Sequence, residues 1–423
     1  MRRLLSGLWL SLLWVSPVNA GGTLVIAGGA VTEENRALYE AFISALPAEG
    51  PIAVIPAASA RPARSFAAVR AALERWGVSP GRIALYPLAL IDDTGTPAVD
   101  ESQWSGNARD AANIGKFTDA AGFWFTGGDQ TRIIRLLQDD SGGDTPLLAL
   151  LRGRLADGAV VGGTSAGAAV MSGVMIAGGD SFTALLEPPA GSYTDIAEQE
   201  GGPLVLAAGL GLFPYGVVDQ HFDRKARLGR LARALLITGE QRGFGIDEDT
   251  ALVVDLEAGR GVVAGRGSVA VLSDVTPGSS AGSPKQLATL GIDVLAPGAV
   301  IDLHSGVIDP GDGEPVLGKE AFSHPPLQGG GMALANGRLA EALGYDLLDN
   351  SAARELRRLS VDEGGRAVVY RFRQTGLSRG YLHTGPGGEH YTITGVELAI
   401  ELWPDNNYFA ARRADHSPGG NNQ

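Results

Sequence analysis

The chain contains no cysteine. That absence excludes disulfides, thiolate metal sites and every cysteine nucleophile, so covalent chemistry must use oxygen or nitrogen groups. Basic residues are also in short supply, with 34 Lys and Arg against 47 Asp and Glu and a net charge of -13. Such a surface repels phosphate backbones, which excludes nucleic acid as a partner and suits cationic substrates. Aromatics make up only 6% of the residues. No H-E-x-x-H spacing occurs, so nothing in the histidine pattern points to a metal, and no cofactor is expected. Beyond the first twenty residues no apolar run approaches the ~20 residues that span a bilayer.

What is abundant is glycine, 61 of 423 residues, in a chain that is 44% hydrophobic. Many tight corners between strands and helices follow, which suits an α/β protein better than a helical bundle. The length favours two domains. Residues 1–20 open with Arg2 and Arg3, continue through an apolar run from Leu4 to Val15, and end on Val18, Asn19 and Ala20. This is the three-part pattern of a signal peptide cut after Ala20, so a secreted or periplasmic location is expected, with no membrane span after its removal.

From Gly22 onward, short runs rich in Val and Ile alternate with longer amphipathic stretches, the pattern of βαβ units on a mostly parallel sheet with helices on both faces. Strands are expected at 23–27, 52–56, 83–87, 122–125, 159–162 and 216–219, with helices at 33–46, 64–76 and 131–137. Runs at 251–255, 261–264 and 268–272 suggest an antiparallel ribbon that closes this sheet. The Pro-, Gly- and Ser-rich stretch 276–284 reads as a linker, which divides the chain into a catalytic part at 21–275 and a smaller α+β domain at 276–423. In the latter, helical patches are expected at 337–343 and 352–359, strands at 367–372 and 391–402, and a polar tail after Arg413.

The chemistry concentrates at four strand ends. Val160-Val161-Gly162-Gly163-Thr164-Ser165-Ala166-Gly167 runs an apolar strand into a nucleophile elbow, G-x-S-x-G. Small neighbours let the serine sit on a sharp turn with its hydroxyl exposed, and the Ala166 N–H at the following helix start can face an oxyanion. A serine cap in a glycine-rich corner is the competing structural reading. Thr126-Gly127-Gly128-Asp129-Gln130 places two glycines at another strand end, where Gly128 could complete an oxyanion hole. His221, in Asp219-Gln220-His221-Phe222, is the only histidine before the linker, and hence the candidate base. Gly245-Ile246-Asp247-Glu248-Asp249 supplies three carboxylates, among which the pattern alone does not choose. The order serine, histidine, acid differs from that of the α/β-hydrolases.

Together these four motifs resemble the cyanophycinases, in the serine peptidase family that also holds the α-aspartyl dipeptidases. The resemblance covers about residues 22–274. It implies a flavodoxin-like sheet of the class I glutamine amidotransferase kind, with serine in place of cysteine. It also implies Ser165 as nucleophile, His221 as base and Glu248 as the third member, with Gln130, Asp219 and Gln220 at substrate-contacting positions. In Arg224-Lys225-Ala226-Arg227-Leu228-Gly229-Arg230, Lys225, Arg227 and Arg230 are expected to receive substrate carboxylates, and Arg224 a solvated face. Lys225 stands where the family has arginine, which keeps the charge and loses the fork geometry. The implied activity is release of β-Asp-Arg dipeptides from cyanophycin by an exported enzyme. Short aspartyl peptides are the alternative substrates, a binding protein without catalysis is the alternative class, and self-association as a homodimer is left open.

Overall fold

The computed structural model describes residues 21–191, 199–279, 284–326, 328–334, 338–385, 388–404 and 408. The expected signal peptide and the tail after Arg413 lie outside them. Apolar runs and amphipathic stretches alternate as expected through β1 (Thr23–Ala27), α1 (Arg36–Ala45), β2 (Ile52–Ile55), α2 (Pro62–Arg75) and β3 (Ile83–Leu85). They continue through α3 (Ala111–Ile114), β4 (Gly122–Phe125), α4 (Gln130–Leu137), α5 (Pro146–Ala156), β5 (Val160–Thr164) and α6 (Ala166–Ala169). The five strands are parallel neighbours in the order β1-β5-β4-β2-β3. The central strands β5, β4 and β2 and the body of β1 are buried on both faces, as a parallel sheet requires, while the edge strand β3 is only partly covered. Val25, Ile52 and Val54 pack under Leu38 and Phe42 of α1 and Leu73 of α2. Leu24, Ile26, Phe123 and Phe125 pack on the other face against Ile133 of α4 and Leu148 and Leu151 of α5. The helices start where local chemistry allows: Asn35 accepts the Leu38 N–H, Asp129 the Thr131 N–H, and Thr145 the Leu148 N–H before Pro146.

The chain then forms β6 (Val174–Gly178), α7 (Ser181–Leu186), β7 (Val205–Ala208), β8 (Val217–Asp219), α8 (Leu228–Thr238) and β9 (Arg242–Ile246). Next come β10 (Thr250–Asp255), β11 (Arg260–Gly265), β12 (Val269–Pro277), β13 (Lys285–Leu295), β14 (Val300–Asp302) and β15 (Ile308–Asp309). Strand β10 pairs antiparallel with β1, and β11, β14 and β15 extend that edge to a nine-stranded mixed sheet. The expected ribbon therefore exists at β10 and β11, whereas its third run, 268–272, falls largely in β12, which pairs with β9 and β13 in a second sheet.

Two expectations are corrected here. Strand β8 leaves the first sheet and pairs in parallel with β9 at the edge of a second, eight-stranded sheet. That sheet also takes β12, β13, β16 (Glu314–Pro315), β17 (Glu355–Val361), β18 (Ala367–Gly385) and β19 (Gly388–Trp403), in a largely antiparallel arrangement, so the protein is mixed rather than mostly parallel. The helix expected at 352–359 is strand β17 instead. Its Leu356, Arg358 and Ser360 alternate inward and pair across to β18, and that period of two overrides the local helix formers. The patch at 337–343 is helical in part, as α9 (Leu339–Glu341) runs into a wider turn through Leu348. Strand β12 crosses position 275, and pairs with β13 beyond the linker stretch. One core consequently joins Leu231 and Leu235 of α8 to Leu290, Phe372 and Leu398 of the C-terminal part. Among the described residues no helix is long and apolar enough to cross a membrane.

Candidate active site

Ser165 follows β5 directly and holds φ 55° and ψ -112°, in a region that L-residues rarely occupy. The corner is possible because its neighbours are glycines. A Cβ at Gly163 would lie 2.4 Å from the Gly167 carbonyl oxygen, and one at Gly167 would lie 2.6 Å from that of Phe125. The Ser165 N–H donates to Ala27 O at 3.0 Å, and its carbonyl accepts the Ala168 and Ala169 N–H groups as α6 begins. Backbone held in this way stores about 1–3 kcal/mol, which the surrounding packing must offset.

The Ser165 hydroxyl meets His221 Nε2 at 2.9 Å, and His221 Nδ1 meets Glu248 Oε1 at 2.6 Å. Three strand ends far apart in sequence thus converge on one line of groups. The three carboxylates left open by the sequence separate by contact. Asp249 accepts from Thr32 and Asn35 and faces Arg266, Asp247 accepts the Asp223 and Ser268 N–H groups, and Glu248 alone of the three hydrogen-bonds the imidazole. Burial pushes His221 below its ordinary value, the Glu248 hydrogen bond works against that shift, and Lys225 and Arg227 add to it. The imidazole is accordingly held neutral at neutral pH, ready to accept a proton.

Sequence reading missed Gly28 and Gly29, which directly follow β1. Gly28 O accepts the His221 N–H at 2.6 Å and Gly29 O accepts the Asp249 N–H at 2.8 Å. A Cβ at Gly29, whose φ is 107°, would lie 2.4 Å from the His221 ring. The signal that could have found this pair is its position, a Gly-Gly step at the C-terminal end of a parallel strand, where ligands of open sheets gather. Gly127 packs against Ser165, since a Cβ there would come 3.3 Å from Ser165 Cβ. Gly128 follows with φ 140°. The strand end of β4 therefore faces the elbow, with Ala166 opposite at the start of α6.

The remaining expected site residues form a buried charged cluster beside His221. Asp219 takes a forked contact from Arg230, at 2.8 Å from Nε and 2.5 Å from Nη2, with both groups 1% exposed. Arg230 also donates to Gly179 O. Arg227 donates to Gln220 O at 2.6 Å and to Glu200 Oε2 at 3.1 Å, and burial together with Arg230 brings its pKa down to about 10 against the pull of Asp219 and Glu200. Lys225 binds the other Glu200 oxygen at 2.8 Å. Glu200, which sequence reading did not single out, thus bridges two of the three cations. Gln130 is 1% exposed, donates to Ile176 O and Ala177 O and accepts from Gln199. Its amide is committed to the fold. Gln220 differs, because its buried Oε1 has no partner among the described residues, as have the hydroxyls of Thr126 and Thr164 on either side of the elbow. No group of three or more His, Asp or Glu side chains able to hold a metal occurs among the described residues.

Comparison with known proteins matches residues 104–260 to the family described as Peptidase family S51, a stretch that contains Ser165, His221 and Glu248. The chain is 36% identical over 197 residues to a cyanophycinase of Trichormus variabilis, covering 45% of this chain and 59% of that protein. It is 39% identical over 160 residues to one of Synechococcus elongatus, covering 38% of this chain and 44% of that one. With one of Geminocystis herdmanii the identity is 42% over 150 residues, or 35% and 48% of the two chains. The chain therefore spans about half the length of the curated relatives it matches. A crystal structure of a peptidase from an acI-B1 Actinobacterium superposes with a TM-score of 0.41 at 20% identity, covering 59% of this chain and 90% of that chain, too slight a likeness to establish the fold. The match to peptidase family S51 thus covers residues 104–260, the stretch that holds the Ser165, His221 and Glu248 line.

Proposed function

We propose that the protein is an exported cyanophycinase, a serine-type exopeptidase that releases β-Asp-Arg dipeptides from the aspartate–arginine polymer. The observation that carries the reading is the line Ser165 Oγ, His221 Nε2, His221 Nδ1 and Glu248 Oε1, joined at 2.9 and 2.6 Å inside the family S51 segment. In this mechanism His221 Nε2 takes the proton of Ser165 as Oγ attacks an aspartyl backbone carbonyl. Glu248 holds the other ring nitrogen and stabilises the imidazolium. The Ala166 and Gly128 N–H groups receive the oxyanion. The intermediate collapses with loss of the amine, to which His221 returns the proton, and water then resolves the acyl-enzyme by the same route. Lys225 and Arg227 provide positive charge near His221 for the carboxylates of the substrate, Arg230 is held by Asp219 behind them, and Gln220 offers a spare buried acceptor.

The finer architecture belongs to the same reading: a flavodoxin-like sheet within the catalytic part 21–275 that presents Ser165, with residues 276–423 as a C-terminal domain joined to that part through paired strands. The Arg2-Arg3 start and the apolar run to Val15 support export with cleavage after Ala20.

The test is incubation of the mature protein with cyanophycin and with Asp-X dipeptides, with products identified by mass spectrometry and Ser165→Ala alongside. The reading requires β-Asp-Arg from the wild type only, at a rate at least 1,000-fold above the variant. Turnover of the dipeptides with an untouched polymer would make the protein an aspartyl dipeptidase. Turnover of the polymer by Ser165→Ala would remove Ser165 as nucleophile.

A further inference from the structure

The two loops that present the catalytic imidazole and its carboxylate are tied together, and to the far end of the chain, by a second pair of acids. Asp223 lies two residues after His221. Its N–H donates to Asp247 Oδ1 at 3.0 Å, and Asp247, the residue before Glu248, takes the Ser268 N–H on its other oxygen at 2.9 Å. The carboxylate of Asp223 in turn accepts the Leu339 N–H, 2.9 Å from each oxygen, across 116 residues of sequence. The amides of Arg338 and Ala340 also stabilise its charge. Leu339 opens α9, so the start of a helix in the C-terminal part closes on the catalytic loop.

We propose that Asp223 is a positioning residue through which the C-terminal segment 338–348 holds His221 and Glu248 in line with Ser165. The C-terminal part is then an integral piece of the catalytic machinery. The inference rests on the serine mechanism given above.

Three further observations support it. His221 and Ala226 both have positive φ, 48° and 50°, so the loop between them is a strained turn that persists only where its surroundings over-determine it. The two acids carry a penalty that stability alone would not retain. Burial raises Asp223 to about 6 and, together with the neighbouring Asp223 charge, Asp247 to about 7; Glu341 faces the first and Glu248 the second. A second grip from the same part lies one helix away, where the Tyr370 hydroxyl of β18 closes on Gly229 of α8, so that a Cβ there would come within 2.3 Å of it. That helix carries Arg230, so the C-terminal sheet braces both flanks of the His221 loop.

The experiment is made on the full chain, with Asp223→Ala, Asp223→Asn and Leu339→Pro. The last deletes the N–H donor at a first-turn helix position where proline is tolerated. The readout is the rate at which a serine-directed phosphonate labels Ser165, measured beside kcat, KM and thermal midpoint. Labelling does not depend on the identity of the natural substrate. Misplacing the imidazole by about 1 Å slows labelling and kcat by about 10- to 100-fold. That loss is expected for Asp223→Ala and Leu339→Pro, with KM changed less than about threefold and most of the rate restored in Asp223→Asn, whose amide oxygen still accepts the bond. Wild-type labelling by folded Asp223→Ala and Leu339→Pro would overturn the inference. So would a loss that follows the folded fraction and is not restored by asparagine. A wild-type protein that the phosphonate does not label would overturn the serine mechanism and this inference with it.

Discussion

Glu200 carries the least anticipated contact of the site. Burial opposes its charge, yet Arg227 and Lys225 outweigh that effect and hold its carboxyl below the usual range. Its two oxygens sit on cations that the proposed function assigns to substrate carboxylates, at 2.8 Å from Lys225 and 3.1 Å from Arg227. A substrate carboxylate must displace it, so Glu200→Gln is expected to lower KM by about 2- to 10-fold, the worth of a partly exposed charge-assisted contact. kcat should stay within about twofold. Steady-state kinetics on the polymer check this, and a raised KM would show that Glu200 helps to bind substrate. Asp219 is the contrasting case. Its forked bond to Arg230 is almost wholly buried, and removing either partner of such a pair costs about 3–5 kcal/mol. Its visible role is to hold Arg230 and the loop before His221.

At the level of elements, the site depends on how strands end. β1, β4, β5, β8 and β9 each stop within a few residues of a group in the constellation, and glycines at the ends of β1, β4 and β5 allow backbones to approach where side chains could not. Gly163 is the sharpest test, because a Cβ there would lie 2.4 Å from the Gly167 carbonyl oxygen. Neither atom belongs to a flexible side chain, so the β5–α6 corner must open. Gly163→Ala is expected to reduce turnover by at least about 100-fold through displacement of Ser165. Circular dichroism should still report the sheet. A variant with turnover near that of the wild type would show that the corner tolerates the shift without moving Oγ. The β17 region makes the same point from the other side: its residues favour a helix locally, and the edge of β18 makes them a strand.

Over the whole molecule, the acidic pair under the His221 loop makes folding stability depend on pH in a definite direction. Burial raises Asp223 to about 6 and Asp247 to about 7, against about 3.9 in an unfolded chain. Between those values the folded state binds more protons than the unfolded one. The contribution of the pair is therefore fully present below about pH 4 and is lost as pH rises toward 7. His221 works the opposite way, since its lowered pKa leaves the unfolded state with more protons just below its ordinary value. Replacing Asp247 by Asn removes one titration of the pair. The stability of the wild type relative to Asp247→Asn is expected to fall between pH 4 and 7.5 by at least about 1 kcal/mol, the scale of one pKa unit. Thermal melts across that range check it. A difference that stays constant or grows would mean that Asp247 keeps an ordinary pKa in the fold.

The sequence by itself determined most of the strands of the first sheet and the motifs from which Ser165 and His221 stand out as candidates. Runs such as 23–27 and 122–125 are apolar on both faces, so their burial and strand character follow from composition over a few residues. The elbow glycines around Ser165 and the single histidine before residue 276 are equally local. Tertiary structure decided what depends on partners distant in the chain. The motif alone left Asp247, Glu248 and Asp249 open and the resemblance implied Glu248; the fold brings only that carboxylate to the imidazole. Tertiary structure also moved β8 into a second sheet, made β17 a strand, and joined the C-terminal part to the loop of His221 through Asp223 and Leu339. Spacing along a chain fixes which face a side chain takes within its own element. Which acid meets which base, and which strand edge is covered, is set by packing energies between elements that local pattern does not encode.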